Sequence, residues 1–182
     1  LLKAENLGMS FSISTRADHI WNEGVAHSRN GRQNTEGLDK YNARLLEIMT
    51  DLRDAGLVRV FLGMESGSPT QLKRYGKLIT VGGNYKAIEI LEELNIDAVA
   101  GWIPIDQDMV IPELLENIEF LKRTGMARKV TNPLSVLRVQ AGSPYLKLAE
   151  REELVDGPTE DLVFYKAHFK DPSIQKVADL AD

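Results

Sequence analysis

The stretch Gly56-Leu-Val-Arg-Val-Phe-Leu-Gly63 decides the fold. Its centre, residues 57–62, is short, rich in β-branched and aromatic residues and bounded by a glycine at each end. This pattern predicts a buried β-strand. Three other segments have the same character, namely 9–14, where Met9, Phe11 and Ile13 alternate with serines, 98–105 and 134–139.

Helical patterns separate these strands. Apolar residues recur at helical spacing in 38–54, after the break expected at Gly82-Gly83, and after Pro112, which suits a helix start. The faces that we expect to be buried are Leu45, Ile48, Met49 and Leu52 in the first helix, Ile88, Leu91 and Leu94 in the second, and Leu114, Ile118 and Leu121 in the third. Strand and helix therefore alternate about every 40 residues, which is typical of βαβ units and a parallel sheet.

Segments at the ends of the chain and one long loop lie outside this alternation. A short helix is expected over 1–7, and the polar segment 18–37 has no apolar period, which is typical of a functional or mobile loop. The tail holds a short strand at 162–165 and a helix at 172–180 that begins with proline. Because four strands do not close a barrel, the fold class is α/β with a parallel sheet that is either open or lacks strands.

Composition excludes several classes of protein. The chain has 182 residues, is 43% apolar, carries a net charge of −5 and contains no cysteine. These values favour a compact cytoplasmic protein, and the mild acidity disfavours a nucleic-acid partner. No run of about 18 apolar residues occurs, and no basic start precedes an apolar stretch, so we expect neither a membrane span nor a signal peptide. Without cysteine, this stretch can form no disulfide, thiol nucleophile, thiolate zinc site or iron–sulfur cluster of its own.

Polar and glycine residues follow each predicted strand. They occupy 12–18, 63–69, 101–108 and 138–144. Ligands of parallel α/β sheets bind at the carboxyl ends of the strands, and these four junctions are therefore the candidate site.

Ordinary structural roles compete with ligand binding at several of these positions. Ser68-Pro69 and Ser143-Pro144 are typical helix starts. Arg16 either pairs with Asp18 or Glu65 to hold two loops together, or contacts a ligand.

Metal and nucleotide sites find little support. A solvated turn is favoured over a metal pair for Asp106 and Asp108, because no histidine or third carboxylate lies at ligand spacing. The histidines at 19, 27 and 168 are scattered, which makes zinc improbable, and Gly82-Gly83 lacks the spacing of a nucleotide phosphate loop. We predict no metal ligand and assign no catalytic residue in this chain.

Residues 59–68, RVFLGMESGS, followed by LKRYGK at 72–77, resemble the fourth-strand region of radical S-adenosylmethionine (SAM) enzymes. The likeness is strongest to the branch that often carries an N-terminal cobalamin-binding domain. Residues 10–18 are similar to the third strand of that family, 98–106 to the fifth and 134–145 to the sixth. The resemblance implies a partial TIM-type barrel of which about four of six βα units lie in residues 1–152, followed by a C-terminal extension over 153–182.

The resemblance also implies roles in binding SAM. Ser12, with Ser14 beside it, corresponds to the residue that meets the ribose hydroxyls, and Arg16 follows as a candidate ligand contact. The remaining implied contacts are Glu65 on the SAM and substrate side, Lys77 at the SAM carboxylate, Trp102 near the adenine, and the backbone of Gln140 and Ala141 at the adenine edge.

Two features of the family do not occur in the chain: its CxxxCxxC loop, which holds a 4Fe-4S cluster, and the Gly-rich stretch that ends its second strand and meets the SAM amino group. The chain also begins at Leu1 without methionine. We therefore expect a fragment whose cluster ligands lie upstream and which is inactive alone, with the N-terminal part of the same protein as its partner.

Three functions remain open at this stage. The first is a part of a radical SAM enzyme, with a cobalamin in some members, that performs hydrogen abstraction or methyl transfer on a small-molecule or peptide substrate. The second is a non-catalytic α/β module that binds a small molecule or a protein, favoured by an exposed sheet edge. The third is a phosphate-binding βα enzyme, against which the missing phosphate loop argues.

Overall fold

A computed structural model describes residues 8–24, 35–130, 133 and 135–180. The helix predicted over 1–7 and residues 25–34 of the polar loop lie outside the described residues.

Strands and helices alternate through most of the chain. In order, the elements are β1 (Phe11–Arg16), α1 (Thr35–Asp54), β2 (Leu57–Glu65), α2 (Pro69–Arg74), α3 (Val81–Glu93), β3 (Asp97–Trp102), α4 (Ile111–Arg123), β4 (Val139–Gln140), α5 (Pro144–Arg151), β5 (Val155–Pro158), β6 (Phe164–Ala167) and α6 (Pro172–Asp179). Short 3-10 turns lie at Ala17–His19 and Met126–Arg128.

The first three strands form a parallel sheet in the order β1-β2-β3. Ser14 pairs with Phe61 across the first ladder, and Phe61 pairs with Val99 across the second. The ladder between β2 and β3 shifts between Gly63 and Glu65, and Glu65 has a left-handed backbone with φ of 66°. This α/β architecture confirms the predicted fold class.

The two faces of the parallel sheet differ in burial. Val60, Leu62 and Met64 alternate along β2 and pack in the main core with residues of α1, α3 and α4. The alternate residues lie on the opposite face, where Ser12 and Ser14 are exposed and Phe61 remains 41% exposed. One face of the sheet is therefore sealed by helices and the other is open.

Helix boundaries agree with the predictions better than helix faces do. Leu45 and Met49 are buried as expected, but Ile48 and Ile118 are exposed, and the buried stripe of α4 is Glu113, Asn117 and Phe120. Hydrogen bonds to polar partners on α2 allow Glu113 and Asn117 to be buried, and this moves the inner face of α4 away from Ile118.

The Gly82-Gly83 pair belongs to α3 and does not precede it as a break. Both glycines lie in the first turn of α3, where the hydroxyl of Thr80 accepts a hydrogen bond from the Gly83 amide at 2.8 Å. A Cβ at Gly82 would lie 2.6 Å from Oε1 of Glu23. The glycine therefore makes room for a carboxylate beside the helix start.

The predicted fourth parallel strand at 134–139 is only partly formed among the described residues. Val136 makes a single parallel bridge to Ile105, and Val130 makes another to Ala100. The end of the segment, β4, pairs antiparallel with β6 in a small sheet of order β4-β6-β5. The tail strand and the tail helix that the sequence predicts are present as β6 and α6, and the division at residue 152 stays a prediction.

Candidate functional site

An ion pair joins two of the predicted site residues at the end of β2. Nζ of Lys77 lies 2.9 Å from Oε1 of Glu65, and both side chains are half-buried. The left-handed backbone of Glu65 turns the chain at this point, while its carbonyl accepts a hydrogen bond from the amide of Ile103 at 2.8 Å. The structure therefore places a paired cation and anion where the open sheet face meets the strand ends.

Ser12 and Ser14 lie on the open face of β1. Their register partners on β2 are Arg59 and Phe61. A serine hydroxyl can donate one hydrogen bond and accept others, and an exposed pair of hydroxyls two residues apart can therefore meet a polyhydroxylated ligand.

Arg16 is paired within its own turn. Its guanidinium donates two hydrogen bonds to the carboxylate of Asp18, at 2.9 and 2.8 Å. Of the two structural partners that the sequence left open, the structure selects Asp18 over Glu65. The Arg16 side chain remains 42% exposed.

Trp102, Gln140 and Ala141 lie apart from the serines along the chain and already have partners. The Trp102 ring stacks on Phe120 with a centroid distance of 5.5 Å, at the edge of the main core. Gln140 pairs with Phe164 in the antiparallel sheet, and the Ala141 amide donates to the carbonyl of Val163 at 2.8 Å. The Ala141 amide and one face of the indole are thus engaged inside the chain.

A buried ionic network, which the sequence did not predict, surrounds Arg74. Its guanidinium contacts three carboxylates, those of Asp106 at 2.8 Å, Asp108 at 3.0 Å and Glu113 at 2.6 Å. Asp106 is fully buried and Glu113 nearly so. The expected solvated turn at Asp106 and Asp108 is therefore wrong, because Arg74 on α2 pairs with both carboxylates and draws them inward.

Hydroxyl and amide donors complete the shell of Asp106. The hydroxyls of Tyr75 and Tyr145 donate to its carboxylate at 2.6 and 3.2 Å, and Nε2 of Gln71 donates at 2.9 Å. Burial, followed by the negative charge of Asp106, raises the pKa of both tyrosines well above the usual value.

Opposing effects act on Arg74. Burial alone would lower the pKa of Arg74, but the hydrogen bond to Glu113 and the neighbouring carboxylates outweigh it and raise the pKa. The guanidinium therefore stays charged, as an arginine in such a pair should.

No pattern in the sequence marks this network. Arg74 lies 32 residues from Asp106 and 39 from Glu113. The tyrosine at 145 lies 39 residues beyond Asp106. The one local signal is the pair of aspartates at 106 and 108, which the sequence analysis weighed only against a metal site.

Helix starts behave largely as predicted. Oγ of Ser143 accepts a hydrogen bond from the amide of Leu146 at 3.2 Å, and this caps α5. Ser68 occupies the same position before α2, but its hydroxyl contacts Thr70 instead of capping the helix.

Among the described residues, no group of three or more histidine, cysteine, aspartate or glutamate side chains could hold a metal ion. His19 contacts Thr15 at 3.1 Å, and His168 contacts Asp156 at 2.8 Å. His27 lies outside the described residues. The helices in the described part of the chain include none that is long and apolar enough to cross a membrane.

Comparisons with known proteins find one protein of similar sequence and several solved structures of similar fold. The chain is 33% identical over 157 residues to the 4'-phospho-dehydrooxetanocin synthase of Priestia megaterium. The chain is a homologue of this synthase. The matched region covers 86% of the chain and 19% of the synthase, so the chain spans about a fifth of that relative's length. No family model matches the chain.

The fold matches solved structures of the cobalamin-dependent S-adenosylmethionine radical enzyme OxsB. The match to OxsB with aqua-cobalamin bound has a TM-score of 0.77 at 24% identity, and it covers 94% of the chain and 28% of OxsB. OxsB with aqua-cobalamin and S-adenosylmethionine bound gives the same values. The chain therefore shares its fold with part of a radical SAM enzyme, and this confirms the resemblance seen in the sequence.

Proposed function

We propose that this chain supplies part of the SAM-binding surface of a radical SAM enzyme that performs hydrogen abstraction or methyl transfer. The observation that carries the proposal is the homology, which extends over 86% of the chain. The strand-end geometry supports it, since exposed hydroxyls and a half-buried ion pair lie at the open face of a parallel sheet.

The residues of β1 and β2 suit the polar groups of SAM. The Ser12 and Ser14 hydroxyls would exchange hydrogen bonds with the ribose, and Lys77 would hold the carboxylate. Glu65 keeps the Lys77 ammonium at the strand end until a carboxylate arrives. SAM itself supplies the 5'-deoxyadenosyl or methyl group of the reaction.

The remaining proposed contacts are those to the adenine and one from Arg16. The partly buried indole of Trp102 would pack against the purine, and the backbone at Gln140 and Ala141 would line the purine edge, with Arg16 as a further ligand contact. Because the Ala141 amide already donates to Val163, a backbone contact to the adenine edge there would use another backbone group.

The 4Fe-4S cluster has no ligands in this chain, because the chain contains no cysteine. The residues present do not fit a cluster, and we assign them no step that involves one. We propose that cluster, cobalamin and catalysis belong to other parts of the protein, that these parts are the partner of this chain, and that the chain is inactive alone. The phosphorylated compound in the relative's name favours a small-molecule substrate over a peptide.

Substitution of Lys77 tests the proposal. In the full-length gene product, purified without oxygen, Lys77→Ala should weaken equilibrium binding of SAM about tenfold or more, because a hydrogen bond between charged groups is lost. Lys129→Ala is the matched control, since Lys129 forms an ion pair of similar length with Asp97 at the amino end of β3, away from the carboxyl ends of the strands.

Other outcomes would contradict the assignment. Unchanged SAM affinity in Lys77→Ala, or an equal loss in Lys129→Ala, would remove Lys77 from the site. A full-length product that neither binds SAM nor releases 5'-deoxyadenosine would favour the non-catalytic binding module.

A further inference from the structure

An open cleft of about 520 Å³ lies between α2 and α5, and basic side chains line it together with Pro144 and Leu148. The residues that matter are Thr70, Lys73 and Arg74 on α2, Lys147 and Arg151 on α5, and Asp108. We define these residues as the basic cleft. Its volume is within the range of about 300–1,000 Å³ that is usual for small-molecule sites.

Positive charge is concentrated here in a chain whose net charge is −5. Four cations and one carboxylate line the basic cleft. Lys147 and Arg151 stand one helical turn apart on α5, and Lys73 faces them from α2. Both helices therefore present cations to the same space.

The cations of the basic cleft differ in how far they are already neutralised. Arg74 is already paired with Asp106, Asp108 and Glu113, and its charge is therefore not available to a ligand. Arg151 is exposed and lies 3.4 Å from Glu152. Lys73 and Lys147 are exposed and have no ion-pair partner among the residues that the structure describes.

The carboxylates of the Arg74 network do not pair with Lys73 or Lys147. Asp106 is saturated by Tyr75, Tyr145, Gln71 and Arg74, and Asp108 is paired with Arg74 and with Lys170. Neither carboxylate is within ion-pair distance of Lys73 or Lys147. The two ammonium groups are therefore available to a ligand.

We propose that the basic cleft binds the phosphoryl group of a small-molecule ligand. A phosphoryl group carries up to two negative charges and several acceptor oxygens, and lysines bind it as point charges from more than one side. The basic cleft is an open but short groove between two helices of six and eight residues. A short groove suits a compact anion better than a polymer backbone, which follows an extended basic stripe. The proposal uses none of the residues assigned to SAM and does not depend on that assignment.

Pyrophosphate is the probe for the test. It is titrated by calorimetry into the full-length gene product at roughly 50 mM salt, where screening is moderate. The wild type should show saturable one-site binding. Lys73→Ala and Lys147→Ala should each weaken binding at least about fivefold, and the double variant should bind too weakly to measure, because each change removes one charged donor.

Lys122→Ala is the matched control. Lys122 is an exposed cation on α4 outside the basic cleft, and its variant should bind pyrophosphate within about twofold of the wild type. SAM affinity should stay unchanged in the double variant, which separates a failure of this proposal from a failure of the SAM contacts.

Three results would overturn the proposal. They are the absence of saturable pyrophosphate binding by the folded wild-type protein, an equal loss in Lys122→Ala, and tighter binding of a single-stranded oligonucleotide that the double variant loses. The last result would assign the basic cleft to a nucleic acid.

Discussion

Removal of the Arg74 guanidinium should destabilise the protein severely. Arg74→Ala leaves two buried carboxylates without a cation, since Asp106 is fully buried and the Glu113 side chain is only 6% exposed. Breaking a buried pair by removing one partner costs about 3–5 kcal/mol. Because a domain of this size is stable by only about 5–15 kcal/mol, the loss is a large fraction of the whole.

The assay is equilibrium unfolding in urea, with the midpoint and slope fitted separately. A lower midpoint at unchanged slope isolates the effect on stability. Arg74→Lys should recover part of the loss, as one ammonium cannot replace a forked guanidinium that serves three carboxylates.

An exposed ion pair provides the control. Arg59 and Asp97 lie 2.8 Å apart on the open face of the sheet, with 60% and 39% of their side chains exposed. Arg59→Ala should cost no more than about 1 kcal/mol. If Arg74→Ala costs no more than this control, the account of a buried ionic network is wrong.

Two further predictions concern packing and pH. Gly67→Ala should lower the free energy of unfolding by about 1–3 kcal/mol, because the added Cβ would lie 2.4 Å from Cβ of Phe120. Urea unfolding measures this, and an unchanged midpoint would show that α4 shifts to accommodate the methyl group without cost. The free energy of unfolding should also fall as the pH rises above 10.0, the ordinary tyrosine pKa, because burial and then the charge of Asp106 raise the pKa of Tyr75 in the folded state, and the unfolded state ionises first. Comparison of urea midpoints at pH values of about 9 and 11 checks this, and Tyr75→Phe should reduce the fall; an equal fall in the variant would contradict it.

The strands and helices were predictable because their signals are local. The glycine-bounded run at 57–62 became β2, and the segments at 38–54 and after Pro112 became α1 and α4. The failures came from contacts between distant segments. The Gly82-Gly83 pair predicts a break before the helix, but α3 begins at Val81 and includes both glycines. The Glu23 carboxylate, from another segment, occupies the space beside Gly82.

The candidate site was predictable in its location and only partly in its contacts. Parallel strands must bring their carboxyl ends together, and Glu65 and Lys77 indeed meet there, although the sequence analysis assigned them separate roles and did not pair them. The stacking of Trp102 on Phe120 could not be foreseen, because the two rings come from different elements and the contact depends on how α4 lies over β3.

By itself the sequence determined the order of strands and helices, the edge at which polar residues collect and the family that the strand ends resemble, since each depends on spacing within one segment. Only the tertiary structure decided which charges are buried. The carboxylates at Asp106 and Glu113 are indistinguishable in sequence from solvated ones. They became the ionic centre of the fold because Arg74 reaches them from a helix more than 30 residues away, and no local pattern records that distance.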